Sequence, residues 1–288
     1  MSSPPEGTPT GIAPTRAAAG AGATPPILQA RGITKRFGHV EALRGVDFDA
    51  HAGEVTALIG DNGAGKSTLV KILSGVYGPT TGELSVDGAI VSFNSPAAAH
   101  ALGIETVYQD LSVCPDLSPS ANMFMGREAV RPGLLGRLGF LDNAAMRRDS
   151  AAAFGRLKVT LKDLDAPIAS LSGGQRQSVA ICRAAMWAKR VVFMDEPTAA
   201  LGVLQTARTL DLVRRIRDTG VAVVLISHNM RDVIQVADTV EVLRLGRRIA
   251  SMPNTGLTVQ DLVGAMTGAL DEVLEEPGDG AARQGVAA

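Results

Sequence analysis

Three short apolar runs punctuate the chain, and each delivers polar chemistry at its carboxyl end. Val55 to Ile59 leads into Gly60, Val191 to Met194 ends in Asp195 and Glu196, and Val221 to Ile226 ends in Ser227 and His228. A run that is continuously apolar rather than alternating predicts a strand buried on both faces, as in the parallel sheet of an α/β protein. Gly103 to Gln109 predicts a further short strand, this one followed by an amide side chain. Helical signals fall between the strands. Ser67 to Ser74 reads as a helix stopped by Gly75, and Ser172 with Gln175 has the spacing of a capping box at another helix start. The stretch from about 110 to 170 is helix-rich, including Ala144–Arg148 and Ala151–Leu157. In an open α/β sheet ligands bind outside the carboxyl ends of the strands, so the polar residues after these runs are expected to converge there.

The loop after the first run, Gly60-Asp61-Asn62-Gly63-Ala64-Gly65-Lys66-Ser67, satisfies the phosphate-loop pattern G-x-x-x-x-G-K-[ST] without a mismatch. It also has the strand, loop, helix context the motif requires. Glycines at 60, 63 and 65 let backbone N–H groups turn inward around phosphate oxygens, and the helix start adds a positive dipole end. A nucleoside triphosphate site is therefore predicted: Lys66 pairs with the β and γ phosphates, Ser67 offers its hydroxyl to Mg²⁺, and Thr68 is the next helical residue. Asp195 is then placed to hold Mg²⁺ through water and Glu196 to polarise the attacking water. Gln109 can sense Mg²⁺ or water, although a glutamine after a strand says little by itself. His228 on its own reads as a capping or core residue, with contact to a γ phosphate as the alternative. Leu171-Ser172-Gly173-Gly174-Gln175 has a local explanation in the capping box. Its paired glycines also strip side chains from a second helix N-terminus, leaving free N–H groups suited to an anion.

Composition narrows the class. The chain has 288 residues, 45% hydrophobic and 20% charged, enough for one large domain or one domain with an inserted lobe. A formal net charge of −1 gives no global basic field, so no nucleic-acid partner is expected. Cys114 and Cys182 are isolated, which fits a reducing compartment and offers no metal site. No apolar run approaches the roughly 20 residues that span a bilayer, so a membrane link is expected through a partner. Residues 1–26, rich in Pro, Ala, Gly, Thr and Ser, and residues 269–288 read as disordered tails.

In order and rough spacing, the phosphate loop, Gln109, Leu171–Gln175, Asp195-Glu196 and His228 resemble the ATP-binding-cassette family, over about Ile27 to Gly268. The resemblance implies an α/β P-loop NTPase core with a mostly parallel sheet, a small antiparallel β subdomain and an inserted helical lobe at about 110–170. It implies ATP and Mg²⁺ as ligands, with Glu196, His228 and Gln109 as the catalytic set and Ser67, Gln109 and Asp195 at the metal. It further implies a head-to-tail homodimer in which Ser172, Gly173, Gly174 and Gln175 of one subunit close over ATP held by Lys66 of the other. Phe37, in Lys35-Arg36-Phe37-Gly38, matches the family's adenine-stacking aromatic, with a core residue as the alternative. The lobe usually docks on a transmembrane partner, and Asn122–Glu128 carries exposed-looking Met and Phe residues suited to that role, with ordinary core as the alternative.

More narrowly, Gly60–Ser67, Leu73–Gly82, Val107–Leu111 and Asn122–Glu128 look like the cassettes of bacterial monosaccharide importers. Many of those carry two fused cassettes, whereas this sequence has one and is expected to pair with a copy of itself. The implied activity is ATP hydrolysis that drives solute import through separate permease subunits, indirectly with a solute-binding protein, at the cytoplasmic face of the plasma membrane. Hydrolysis motifs are shared with other importers and exporters and with soluble cassettes acting on nucleic acid or the ribosome. The soluble ones typically carry two cassettes, long coiled coils or zinc inserts, and none is evident. There is one departure: Ala199-Ala200-Leu201-Gly202 stands where Ser-Ala-Leu-Asp is common, which removes a carboxylate and leaves a glycine free to adopt positive φ.

Overall fold

The computed structural model describes residues 25–268, so the predicted tails, 1–26 apart from Pro25 and Pro26 and 269–288, lie outside the described residues. Strands β1 (Leu28–Phe37) and β2 (Val40–Ala50) precede β3 (Val55–Ile59), which feeds α1 (Lys66–Leu73). After β4 (Thr81–Val86), β5 (Ala89–Val91) and α2 (Pro96–Ala101), the chain enters β6 (Ile104–Val107). Three helices follow as the lobe: α3 (Pro119–Met123), α4 (Leu134–Arg137) and α5 (Asn143–Arg156). The remainder alternates: α6 (Gly173–Trp187), β7 (Val191–Asp195), α7 (Val203–Arg217), β8 (Ala222–Ile226), α8 (Met230–Val236), β9 (Thr239–Arg244), β10 (Arg247–Pro253) and α9 (Val259–Thr267).

Two sheets result. An antiparallel sheet has the order β2-β1-β4-β5, and a six-stranded sheet has the order β10-β9-β3-β8-β7-β6. Within the latter, β9, β3, β8, β7 and β6 are parallel and only the edge strand β10 runs antiparallel. The apolar runs divide their side chains between two cores by the period-2 alternation of a strand. Val192, Met194, Val223 and Leu225 enter one core with α6 and α7; Val191, Phe193, Val224 and Ile226 enter the other with α1 and the antiparallel sheet. Both faces are covered, which is why the runs contain almost no polar residue. The parallel arrangement sends the carboxyl ends of β3, β6, β7 and β8 to one edge.

The lobe corrects one expectation. Asn122 and Met123 are fully buried and Phe124 is 4% exposed; of the Met and Phe residues in Asn122–Glu128 only Met125 faces out. The short helix α3 offers little surface of its own, so it is fixed by anchors to its neighbours. The Asn122 amide accepts from the Cys114 N–H and donates to the carbonyls of Cys114, Leu117 and Ser118. Trp187 Nε1 donates to the Met123 carbonyl at 2.9 Å, and its ring meets Phe124 edge-on. Met123 and Phe124 are core that joins the lobe to α6.

Candidate functional site

The phosphate loop is shaped by close backbone packing. Gly60, Gly63 and Gly65 all have positive φ, at 147°, 84° and 105°. A Cβ on Gly60 would overlap the Leu243 carbonyl, and one on Gly65 would lie 2.7 Å from the Leu43 side chain. Only glycine fits both the space and the dihedral. Helix α1 starts without a side-chain cap or an acidic residue in its first turn, leaving its N-terminal amides for an anion. The Lys66 ammonium donates to the carbonyls of Gly60, at 2.6 Å, and Asp61, at 3.0 Å. Burial lowers its pKa, opposed by the negative charges of Glu196, Asp61 and Asp195.

Across the loop stand the carboxylates. Burial raises the Asp195 pKa and the neighbouring Glu196 carboxylate raises it further, while Lys66 and Lys71 oppose both. Glu196 itself has φ 51°, and its N–H donates to the Ile226 carbonyl at 2.9 Å, continuing the β7–β8 ladder. Its Oε1 lies 2.8 Å from His228 Nδ1 at the end of β8. Gln109, two residues beyond β6, completes the group: residues 62–68, Gln109, Asp195, Glu196 and His228 line one cavity of about 540 Å³. That volume lies within the usual range for a small-molecule site. The chemistry available there is anion binding beside a carboxylate that an imidazole can orient.

The other predicted residues lie elsewhere. Phe37 is 44% exposed and outside the cavity lining; its ring meets Tyr77 edge-on at 5.5 Å, while Val40, its ladder partner on β2, does line the cavity. Ser172 caps α6 reciprocally with Gln175: its hydroxyl accepts from the Gln175 N–H at 3.3 Å, and its N–H donates to Gln175 Oε1 at 3.0 Å. Ser172, Gly174 and Gln175 line a second cavity, of about 590 Å³, that shares no lining residue with the first. Glu41, Ala42 and Arg44 of β2, with Leu245 and Gly246, border the first cavity and were not anticipated. No motif marks them; the only signal is a pair of charged residues on a strand.

Gly202 corrects another expectation. It has φ −73° and ψ 164°, an extended N-cap conformation open to any residue, and positive φ falls instead on Ala200, at 58°.

A parallel sheet whose strand ends gather a phosphate loop and paired carboxylates defines a P-loop nucleotide-binding protein. Residues 43–199 match the family described as ABC transporter. The fructose import ATP-binding protein of Rhizobium meliloti is 48% identical over 246 residues, covering 85% of this chain and 95% of the relative. The xylose/arabinose import ATP-binding protein of Sulfolobus acidocaldarius is 41% identical, over 84% of this chain and 94% of its own length. A ribose import ATP-binding protein of Streptomyces coelicolor is 45% identical over 86% of this chain, which spans about half of that relative, 48%. In three dimensions, an ABC transporter ATP-binding cassette crystallised in its ADP conformation matches 88% of this chain with a TM-score of 0.72 and 25% identity. The chain belongs to the ATP-binding-cassette transporter family and is an ATPase of that family.

Proposed function

We propose that the chain powers a monosaccharide importer as its ATP-hydrolysing subunit, working as a homodimer on separate permease subunits at the cytoplasmic face of the membrane and serving a solute-binding protein indirectly. Three of its relatives are named for import of fructose, xylose/arabinose and ribose. The observation that carries the enzymatic half is the Glu196–His228 pair at 2.8 Å, in the same cavity as Lys66 and the loop amides.

Lys66 and the inward N–H groups hold the β and γ phosphates. Ser67, Gln109 and Asp195 supply hydroxyl, amide and carboxylate oxygens, a donor set suited to the hard cation Mg²⁺, which when bound neutralises phosphate charge. Glu196 orients a water and takes its proton as the water oxygen bonds to the γ phosphorus and the bond to the bridging oxygen breaks, releasing ADP. His228 holds Glu196 in place. Phe37 is proposed at the adenine. Residues 27–268 form the cassette, with the helical lobe at about 110–170.

Glu196→Gln tests this assignment. Turnover should fall by roughly 10²- to 10⁴-fold, as for loss of a general base, with nucleotide affinity retained. Phosphate release and ATP binding measured side by side decide it, and turnover within a few-fold of the parent sinks the role of Glu196. Uptake of labelled monosaccharides by vesicles containing the chain and its permease tests the transport half.

A further inference from the structure

The lobe carries an apolar projection that neither core uses. Between Ala129 and Asp142 the chain leaves the lobe and returns, closed at its base by an antiparallel bridge between Val130 and Leu141. The Arg131 N–H donates to the Phe140 carbonyl at 2.9 Å, and the Asp142 N–H donates to the Ala129 carbonyl at 2.8 Å. Within the turn, the Phe140 N–H donates to Leu135 and the Leu138 N–H to Leu134. Gly136 sits so tightly on the Arg131 carbonyl that a Cβ would overlap it. This is a folded knuckle rather than a slack loop.

Its side chains nevertheless turn outward. Leu134 is 71% exposed, Leu138 65% and Phe140 53%, and no residue of α4 is buried. Arg131 and Arg137 stand among them, and neither guanidinium has a partner among the described residues. The acids that flank the knuckle in sequence pair with neither arginine: Glu128 accepts from the Gly126 N–H, and Asp142 caps α5 by accepting from the Ala145 N–H. Apolar surface of this kind, carried by a rigid turn and flanked by unpaired positive charge, calls for an occupant that is both apolar and negative.

We propose that this knuckle inserts its leucines and phenylalanine into the headgroup region of an anionic lipid bilayer. Lipid satisfies both requirements, because acyl chains cover the apolar side chains while acidic headgroups attract the arginines. A permease surface fits less well: cytoplasmic loops of membrane proteins carry an excess of Lys and Arg, which would repel Arg131 and Arg137. Helix α4 at the tip has only four residues, so the contact is shallow and reversible. It stands independently of the import assignment, and ATP turnover in the same samples reports separately on the nucleotide site.

The test is flotation of the full chain with vesicles of phosphatidylcholine, with and without phosphatidylglycerol. The parent protein is expected to float with the anionic vesicles. Leu134→Ser/Leu138→Ser/Phe140→Ser should lower its partition on the order of tenfold or more. Arg131→Gln/Arg137→Gln should lower it roughly fivefold per arginine and weaken its dependence on salt. Phe140→Trp should add an emission component that shifts to the blue on anionic vesicles, over a constant background from Trp187, the sole native tryptophan. Basal ATP turnover should stay unchanged in all these variants, showing that each is folded. Failure of the parent to float, flotation unchanged in the triple serine variant, or equal flotation with neutral vesicles would overturn the proposal.

Discussion

Glu196 holds a left-handed backbone conformation that costs a non-glycine residue about 1–3 kcal/mol, and it does so next to the phosphate loop. The conformation is over-determined: the N–H is tied to Ile226 and the carboxylate to His228, so the side chain stays in the cavity. Gly202, six residues on, is the reverse case, a glycine with no left-handed backbone to serve. An aspartate there would act as an N-cap for α7, which now has no side-chain cap. Its Cβ would meet only the Gln205 side chain, Oε1 at 2.8 Å and Cδ at 3.7 Å, the far end of an exposed side chain with room to turn away. Gly202→Asp should therefore fold normally and gain at most a few tenths of a kcal/mol, the usual difference between Gly and Asp at an N-cap. ATP turnover of the isolated protein should change little, because the cavity residues are all in place without it. Thermal melting and phosphate release check both expectations, and a large activation would show that the missing carboxylate weakens the site.

At the scale of elements, α3 decides how the lobe is held. Met123→Ala should destabilise by about 2–5 kcal/mol, the range for a truncated core methionine, whereas Met125→Ala at the surface should stay within about 0.5 kcal/mol. Urea unfolding of both variants separates the two positions; equal, small losses would place Met123 outside the core. A second tie runs through Glu105 of β6, one carboxylate oxygen 2.7 Å from Arg127 of the lobe and the other 3.1 Å from His100 Nδ1 near the end of α2. The hydrogen bond to Glu105 raises the His100 pKa above its ordinary 6.5. A raised folded value means the protonated pair stabilises fully below about pH 6.5, and that contribution is lost as pH climbs through the folded pKa. Melting temperature followed from pH 6 to 8 should fall more steeply for the parent than for His100→Gln; parallel curves would deny the link. The parallel strands were legible because runs such as Val191–Met194 admit almost no polar residue, and the phosphate loop because its glycines answer to backbone geometry. The orientation of α3 was not, since Met and Phe serve a core and a docking face alike. Nor was the φ of Gly202, because glycine permits either sign.

For the whole molecule, the telling fact is separation. Lys66 and Glu196 line one cavity and Ser172 and Gly174 another, so the second helix start suited to an anion stands outside the cavity of its own chain's phosphate loop. If it serves ATP, it serves the ATP of a second copy. Lys66→Ala should then weaken nucleotide binding in dilute monomer by removing the point charge in the phosphate cradle. Ser172→Ala should leave that affinity intact and impair ATP-dependent dimerisation, scored in the Glu196→Gln background where ATP persists. Alanine also deletes the α6 cap, at about 0.5–2 kcal/mol, so its effect alone could be structural. Ser172→Asp resolves this, because aspartate caps a helix as well as serine but sets a carboxylate against incoming phosphates. The aspartate variant should melt like the parent, bind nucleotide like the parent, and fail to dimerise with ATP. Sedimentation of each variant with and without nucleotide reads the outcome. Normal dimerisation of Ser172→Asp, or equal loss of monomer affinity in the Lys66 and Ser172 variants, would remove Ser172 from the ATP of the second copy.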